Sequence, residues 1–369
     1  MHQALKLVAD WFERVDPRTH RRIKGLRLVT AYGIAMALGT LHDFTSIAPA
    51  TVSLGGLAGS FALWASVSEA RTTRYESSRD LALLCAAVAA GAALFAVLSS
   101  IPPTAHFARV TGHAGGEWIL ISGAFAVGAL KRYGVLGAGL GSQIYIGELT
   151  AYTMNLSSVD WHAIVVAALI AMVSAVVPRL LSGPAEKPAL MAALATVPAR
   201  GPLGYPAEFV MGVQAASAAL AIVLLNSLFG LTESAWAITA CVYVISGTAA
   251  GTLERGRRRV VGTLIGVPLA LCFLPVVAHA PLLIWCAASV AMVVYAMALP
   301  ERYDVACGAF AFTLLVTLAA GGEHSLPVLL ARLWETVLGV GIGIVTALLV
   351  MPLREEAVDR AADSSSAEK

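Results

Sequence analysis

The sequence predicts an all-α, polytopic membrane bundle of about twelve transmembrane helices, arranged as two six-helix repeats. Three observations predict it. Apolar residues make up 58% of the 369 residues and charged residues 13%, with a mean hydropathy of +0.77, far from the mixture of a soluble domain. The apolar residues come in blocks near the roughly 20 residues that a helix needs to cross a bilayer core. The positive charges fall almost wholly on one side of those blocks.

In chain order the blocks are 26–41, 47–67, 81–99, 118–130, 133–152 and 162–177, then 209–229, 234–253, 260–278, 282–299, 303–320 and 326–351. The fourth is the shortest. The stretch 101–117 before it, with Pro102, Pro103 and a Gly-rich GHAGG, reads as a loop or a re-entrant segment. Twelve crossings put both termini on one face. Of the 25 Lys and Arg, all but Arg109 and Arg332 then lie on that face, which the positive-inside rule makes cytoplasmic. This predicts a multi-pass protein of a bacterial inner membrane. The first 24 residues lack the apolar core of a secretory signal. Leu5, Val8, Phe12 and Val15, with Trp11 alongside, recur at helical spacing and predict an amphipathic helix on the lipid surface.

The resulting organisation is a basic N-terminal segment (1–25), a first membrane half (26–178), a Pro- and Ala-rich cytoplasmic linker (179–206), a second membrane half (207–353) and a cytoplasmic tail (354–369). The halves echo each other. In both, the second span ends in an acid followed by basic residues: Glu69, Arg71, Arg74 and Glu254, Arg255, Arg257. In both, the sixth ends in Pro and then Arg: Pro178–Arg179 and Pro352-Leu353-Arg354. An even number of spans per half relates the copies by an axis along the membrane normal.

Several function classes are excluded. The five Cys all fall inside predicted spans with no C-x-x-C, and the eight His lack ligand spacing, so neither a metal site nor a disulfide framework is expected. No P-loop is present, and nothing calls for a cofactor or nucleic acid. The spans offer no converging His or Asp pairs and no Ser–Lys arrangement, so no catalytic residues are assigned and an enzyme is not expected.

The most specific stretch lies in the second half. Trp236-Ala-Ile-Thr239 is followed by Gly251-Thr-Leu-Glu254-Arg-Gly-Arg-Arg-Arg259-Val-Val-Gly262-Thr263-Leu-Ile-Gly266, and later comes Arg332-Leu-Trp-Glu335-Thr336-Val-Leu-Gly339. Over about 209–351 this resembles the fusaric acid resistance-like (FUSC) superfamily, in which a loop of Thr-Leu-x-Arg character precedes a span opening with Arg-x-x-Gly-Thr-x-x-Gly. The first half carries no Arg-x-x-Gly-Thr. A short linker and tail stand where the larger exporters of the family carry a sizeable cytoplasmic domain. The resemblance implies an inner-membrane efflux protein of the aromatic acid exporter type.

Individual residues fit that implication or a plainer role. Arg259 is expected where a helix leaves the cytoplasmic headgroups, anchoring to phosphate or binding an anionic substrate. Gly262 and Gly266 form a small-x-x-x-small stripe for close helix packing, with Thr263 beside it. Arg332 and Glu335 would each cost about 2.5–3.5 kcal/mol if left to lipid. Their i, i+3 spacing lets them pair, either as a structural lock or as an anion-attracting cation beside a protonatable carboxylate. Gln214, Asn226, Trp236 and Thr239, with Gln143, Tyr145 and Glu148, supply stacking surface and polar contacts, or interhelical glue.

The expectation is a proton-driven exporter of aromatic carboxylic acids or similar toxic organic anions. Its partners are the small organic anion and membrane lipid, while a periplasmic adaptor and a homo-oligomer both stay open. Two alternatives within transport remain: a major-facilitator-like carrier, whose loop signature is imitated by Gly251…Glu254-Arg-Gly-Arg-Arg258, and a passive organic-anion channel.

Overall fold

Backbone N–H and C=O groups in lipid must find partners within their own segment, so an apolar chain of this kind folds into helices. The structure, a computed structural model, describes residues 21–45, 52–71, 73–101, 116–182, 205–246, 248–277, 280–299, 301–322 and 325–353. Among them are twelve α-helices: α1 (Arg21–Thr45), α2 (Leu54–Ser68), α3 (Arg74–Ser99), α4 (Leu120–Ala129), α5 (Gly134–Thr153), α6 (Trp161–Leu181), α7 (Ala207–Phe229), α8 (Ser234–Val244), α9 (Ala249–Val277), α10 (Pro281–Ala298), α11 (Tyr303–Ala320) and α12 (Leu326–Leu349). The expected helix around Trp11, most of 101–117, most of the linker and the tail lie outside the described residues.

Local chemistry explains where helices begin and end. Thr73 caps α3 by accepting from the Glu76 N–H at 3.3 Å while donating to the Glu76 carboxylate at 3.0 Å. Ser53 caps α2, and Asp43 at the end of α1 accepts from the Leu54 N–H at 3.0 Å, so the α1–α2 corner is tied from both sides. Gly230 ends α7 in the left-handed region at φ 62°.

Among the described residues seven helical stretches are long and apolar enough to cross a membrane, α4 and α5 forming one of them, Glu117–Thr153. Three more apolar helices are shorter: Leu54–Ser68, Ser234–Val244 and Leu282–Ala298. The protein is therefore a multi-pass membrane bundle whose helices are of unequal reach. At 1.5 Å per residue, α8 covers roughly 16 Å, about half a bilayer core.

One boundary differs from the sequence expectation in a way that matters for the site. A span at 234–253 and a loop up to Arg259 are expected, but α8 stops at Val244 and α9 starts at Ala249. Glu254 accepts from Arg258 at 2.7 Å and from Arg257 at 3.1 Å, on its own helix one turn on, so the charged run is a solvated helical face. The break falls instead at Ile245–Thr248, where the Thr248 hydroxyl accepts from the Gly251 N–H at 3.1 Å.

The two halves use the same packing pairs. In the first, α3 packs on α5 and α6, α2 on α6, and α4 on α5; in the second, α9 packs on α11 and α12, α8 on α12, and α10 on α11. Between halves, α4 meets α7 and α10 meets α1. Glycines make the tightest of these contacts. A Cβ on Gly91 of α3 would run into the Ile144 carbonyl of α5, and a Cβ on Gly266 of α9 into the Gly308 carbonyl of α11. Gly262 meets the Asp304 carbonyl one turn away. Backbones this close require residues without side chains.

Candidate functional site

A cavity of about 420 Å³ lies between the halves, bounded by α1, α2 and α5 of the first and α8 to α12 of the second. Its walls follow helical spacing. Trp236, Thr239 and Tyr243 line it from α8 at i, i+3, i+7, and Arg259 and Thr263 from α9 at i, i+4. Tyr303, Cys307 and Phe310 line it from α11 at i, i+4, i+7, Tyr295 from α10, Trp64 from α2 and Arg332 from α12. Lys24, Glu69 and Leu299 border it at the arginine-rich end, and Thr150 and Thr153 toward the other.

The lining is aromatic and braced. Trp64 meets Phe310 edge-on with centroids 5.5 Å apart, and Tyr295 meets both. The Tyr145 and Thr239 hydroxyls bond at 2.9 Å, and Ser142 and Tyr243 at 2.8 Å. Both links join α5 to α8 and therefore one half to the other.

Two arginines point into this setting. Arg332, 3% exposed, lies with its guanidinium 4.4 Å from the Trp236 ring centroid and 5.5 Å from that of Phe310. Its Nε and Nη1 are buried without a hydrogen-bond partner. Arg259, 7% exposed, donates from Nη1 to the Tyr303 hydroxyl at 3.1 Å and leaves Nε unpartnered. Among the described residues, no carboxylate forms an ion pair with either guanidinium. Buried donors without acceptors carry a desolvation cost that an anion entering the cavity removes.

The eight candidate substrate and coupling residues separate into two groups. Trp236, Thr239, Arg259, Thr263 and Arg332 share the cavity wall. Glu335, Gln214 and Asn226 do not. Gln214 donates to the Val350 carbonyl at 2.9 Å, tying α7 to the end of α12. Asn226 donates to Glu117 at 2.8 Å and accepts from the Leu231 N–H at 2.7 Å. Glu117 also accepts from Tyr152 at 2.7 Å and from Ser234, so a buried carboxylate joins α5, α7 and α8.

One expectation needs correction. Arg332 and Glu335 form no ion pair. Residues at i, i+3 sit about 60° apart around a helix; Arg332 leans onto Trp236, while Glu335 turns to accept from the Glu233 N–H at 2.7 Å and leaves its second oxygen unpartnered. Arg259 stands nearly three turns inside α9, just past the solvated Glu254–Arg258 face, and is buried against Tyr303.

Sequence reasoning missed Trp64, Tyr243, Tyr295, Tyr303 and Phe310. For α11 a signal existed: Tyr303, Cys307, Phe310 and Leu314 recur along one face. Tyr243 sits two turns after Trp236 on the face already singled out. For Trp64 and Tyr295, which arrive from opposite halves, no local signal exists.

Residues 218–346, from the middle of α7 almost to the end of α12, match the family described as fusaric acid resistance protein-like. The resemblance carried by the Arg259–Gly266 and Arg332–Gly339 stretches is borne out over that region, which supplies five of the eight helices around the cavity. No curated protein and no solved structure matches the chain.

Proposed function

From the fusaric acid resistance protein-like character of the second half, we propose that the protein is a proton-driven exporter of aromatic carboxylates or similar toxic organic anions from the bacterial cytoplasm. In this reading the arginine-rich face is cytoplasmic, and the two halves are six-helix repeats packed about the cavity. The observation that carries the reading is the pair of buried arginines with unpartnered donors, set in an aromatic-lined cavity between the halves. A planar anion needs a cationic fork and a stacking surface, and Arg332 over Trp236 offers both at one point. Binding at the interface between repeats is the arrangement that alternating access uses.

Glu335 is the group assigned to proton coupling. It is fully buried, its Oε2 lacks a partner, and it stands one turn from Arg332 on α12. A proton completes that oxygen. The major-facilitator reading loses its main support, because the stretch that imitates a loop signature is the opening of α9.

Efflux tests the assignment. A deletion strain should gain sensitivity to aromatic acids and recover with the wild-type chain. Glu335→Gln should express and fold, since its amide oxygen still accepts from the Glu233 N–H, yet lose uncoupler-sensitive efflux. Normal proton-driven efflux in well-folded Glu335→Gln would remove Glu335 from the mechanism, and voltage-driven conductance without proton movement would favour a channel.

A further inference from the structure

We propose that the cavity is built for an aromatic dianion, with one carboxylate at Arg332, the other at Arg259 and the ring between them. The inference rests on the anion-transport reading of the same site and narrows its substrate class.

Charge balance is the first argument. Two guanidiniums face one cavity, and each keeps at least one buried N–H without an acceptor. The nearby acids are engaged elsewhere. Glu69 at the cavity border pairs with Arg27 at 3.5 Å and accepts from the Arg71 N–H at 2.7 Å. Asp304 pairs with Arg302 at 3.0 Å. Glu335 turns to the Glu233 backbone. A monoanion therefore neutralises one arginine and leaves the other buried and charged with no ion-pair partner among the described residues.

Placement is the second argument. Arg332 and Arg259 reach the cavity from different helices, α12 and α9. Arg332 is fixed by Trp236 and Phe310, and Arg259 by the Tyr303 hydroxyl. Two fixed cations with aromatic rings around them ask for two anionic groups on a flat frame.

Calorimetric titration of the full chain in detergent at pH 7 tests this with isophthalate, benzoate, 4-hydroxybenzoate and glutarate. Isophthalate should bind at least about tenfold more tightly than benzoate, since the second carboxylate adds a charge-assisted contact. 4-Hydroxybenzoate, with one charge, should group with benzoate. Glutarate, with two carboxylates at the same chain separation but no ring, should fall below isophthalate. Arg259→Gln and Arg332→Gln should each bring the isophthalate-to-benzoate ratio close to one. The wild-type comparison needs no variant to fold. Equal affinities for benzoate and isophthalate would overturn the dianion and leave the anion-transport reading standing. Equal affinities for glutarate and isophthalate would overturn the aromatic part. Failure of all four to bind would sink both readings. A co-purifying anionic phospholipid that isophthalate does not displace would assign the arginines to lipid and overturn the proposal.

Discussion

The two halves bury charge in opposite ways. In the first, buried ionised groups are answered. Asp80 pairs with Arg71 at 2.7 Å and Arg79 at 3.1 Å, Glu148 accepts from Ser122 at 2.7 Å and the Gly123 N–H at 3.0 Å, and Arg179 donates to Ser77 at 2.6 Å. In the second, Arg259, Arg332 and Glu335 keep buried atoms without partners; among the described residues these are the charged side chains that do. The scaffold beneath is shared, since α3–α5 and α9–α11 close on glycine in the same manner. The first half answers its buried charges from within. The other is left incomplete where a ligand can complete it.

The shared scaffold gives the largest expected effect. Gly91→Leu and Gly266→Leu each drive a side chain into the backbone of the facing helix, an overpacking cost of several kcal/mol where neither backbone can yield. Both should remove most of the monodisperse peak in detergent size-exclusion chromatography. Ile265→Ala, at a position 64% exposed beside Gly266, should leave it nearly unchanged. Loss in Gly266→Leu alone would break the equivalence of the halves.

The contrast in charge gives the next effect. Asp80→Ala strips a buried carboxylate from two cations. It should lower stability by roughly 2 kcal/mol, less than a fully buried pair costs, because Arg71 and Arg79 are 30% and 52% exposed and can turn to water. Arg332→Gln removes a charge with no ionic partner among the described residues, so the thermal midpoint should hold or rise while the preference for isophthalate over benzoate disappears. Matching losses of midpoint in the two variants would show that Arg332 is structural and would erase the contrast.

What the sequence reveals of this follows from the range of each interaction. Helix positions depend on local apolar runs, and all twelve described helices overlap the expected blocks. The stop between Val244 and Ala249 was illegible because the charged run after it reads as a loop; only the helix's own Glu254–Arg258 pairing makes it a helical face. Arg259, Thr263, Trp236, Thr239 and Arg332 were legible as unusual residues in spans, but their convergence depends on α8, α9 and α12 meeting, which no single segment encodes. The same limit hid the partner of Glu335: spacing allows a pair with Arg332, and the competing Glu233 N–H comes from the preceding corner of another helix.

The smallest effect sharpens the comparison at the two seams where the halves meet. The α4–α7 seam closes on Gly128 against Gly212, a contact indifferent to pH. The α1–α10 side adds an ion pair, Arg21 to Glu301 at 2.6 Å, to the contact of Gly25 with Val293. The hydrogen bond from Arg21, and then its charge, hold the Glu301 carboxyl below its ordinary value of 4.5. A carboxylate lowered in the folded state contributes stability above its unfolded value and loses it as pH falls through the lower folded value. Glu301 is 66% exposed, so solvent screens most of that contribution, and Glu301→Gln should lower the thermal midpoint by only about a degree at pH 7. The difference should be full above the ordinary carboxylate value and shrink as pH falls through the lower folded value, where the wild-type carboxyl is protonated too. Midpoints that coincide at pH 7, or a difference that does not shrink on acidification, would mean that Gly25 against Val293 holds this seam by packing alone, as Gly128 and Gly212 hold the other.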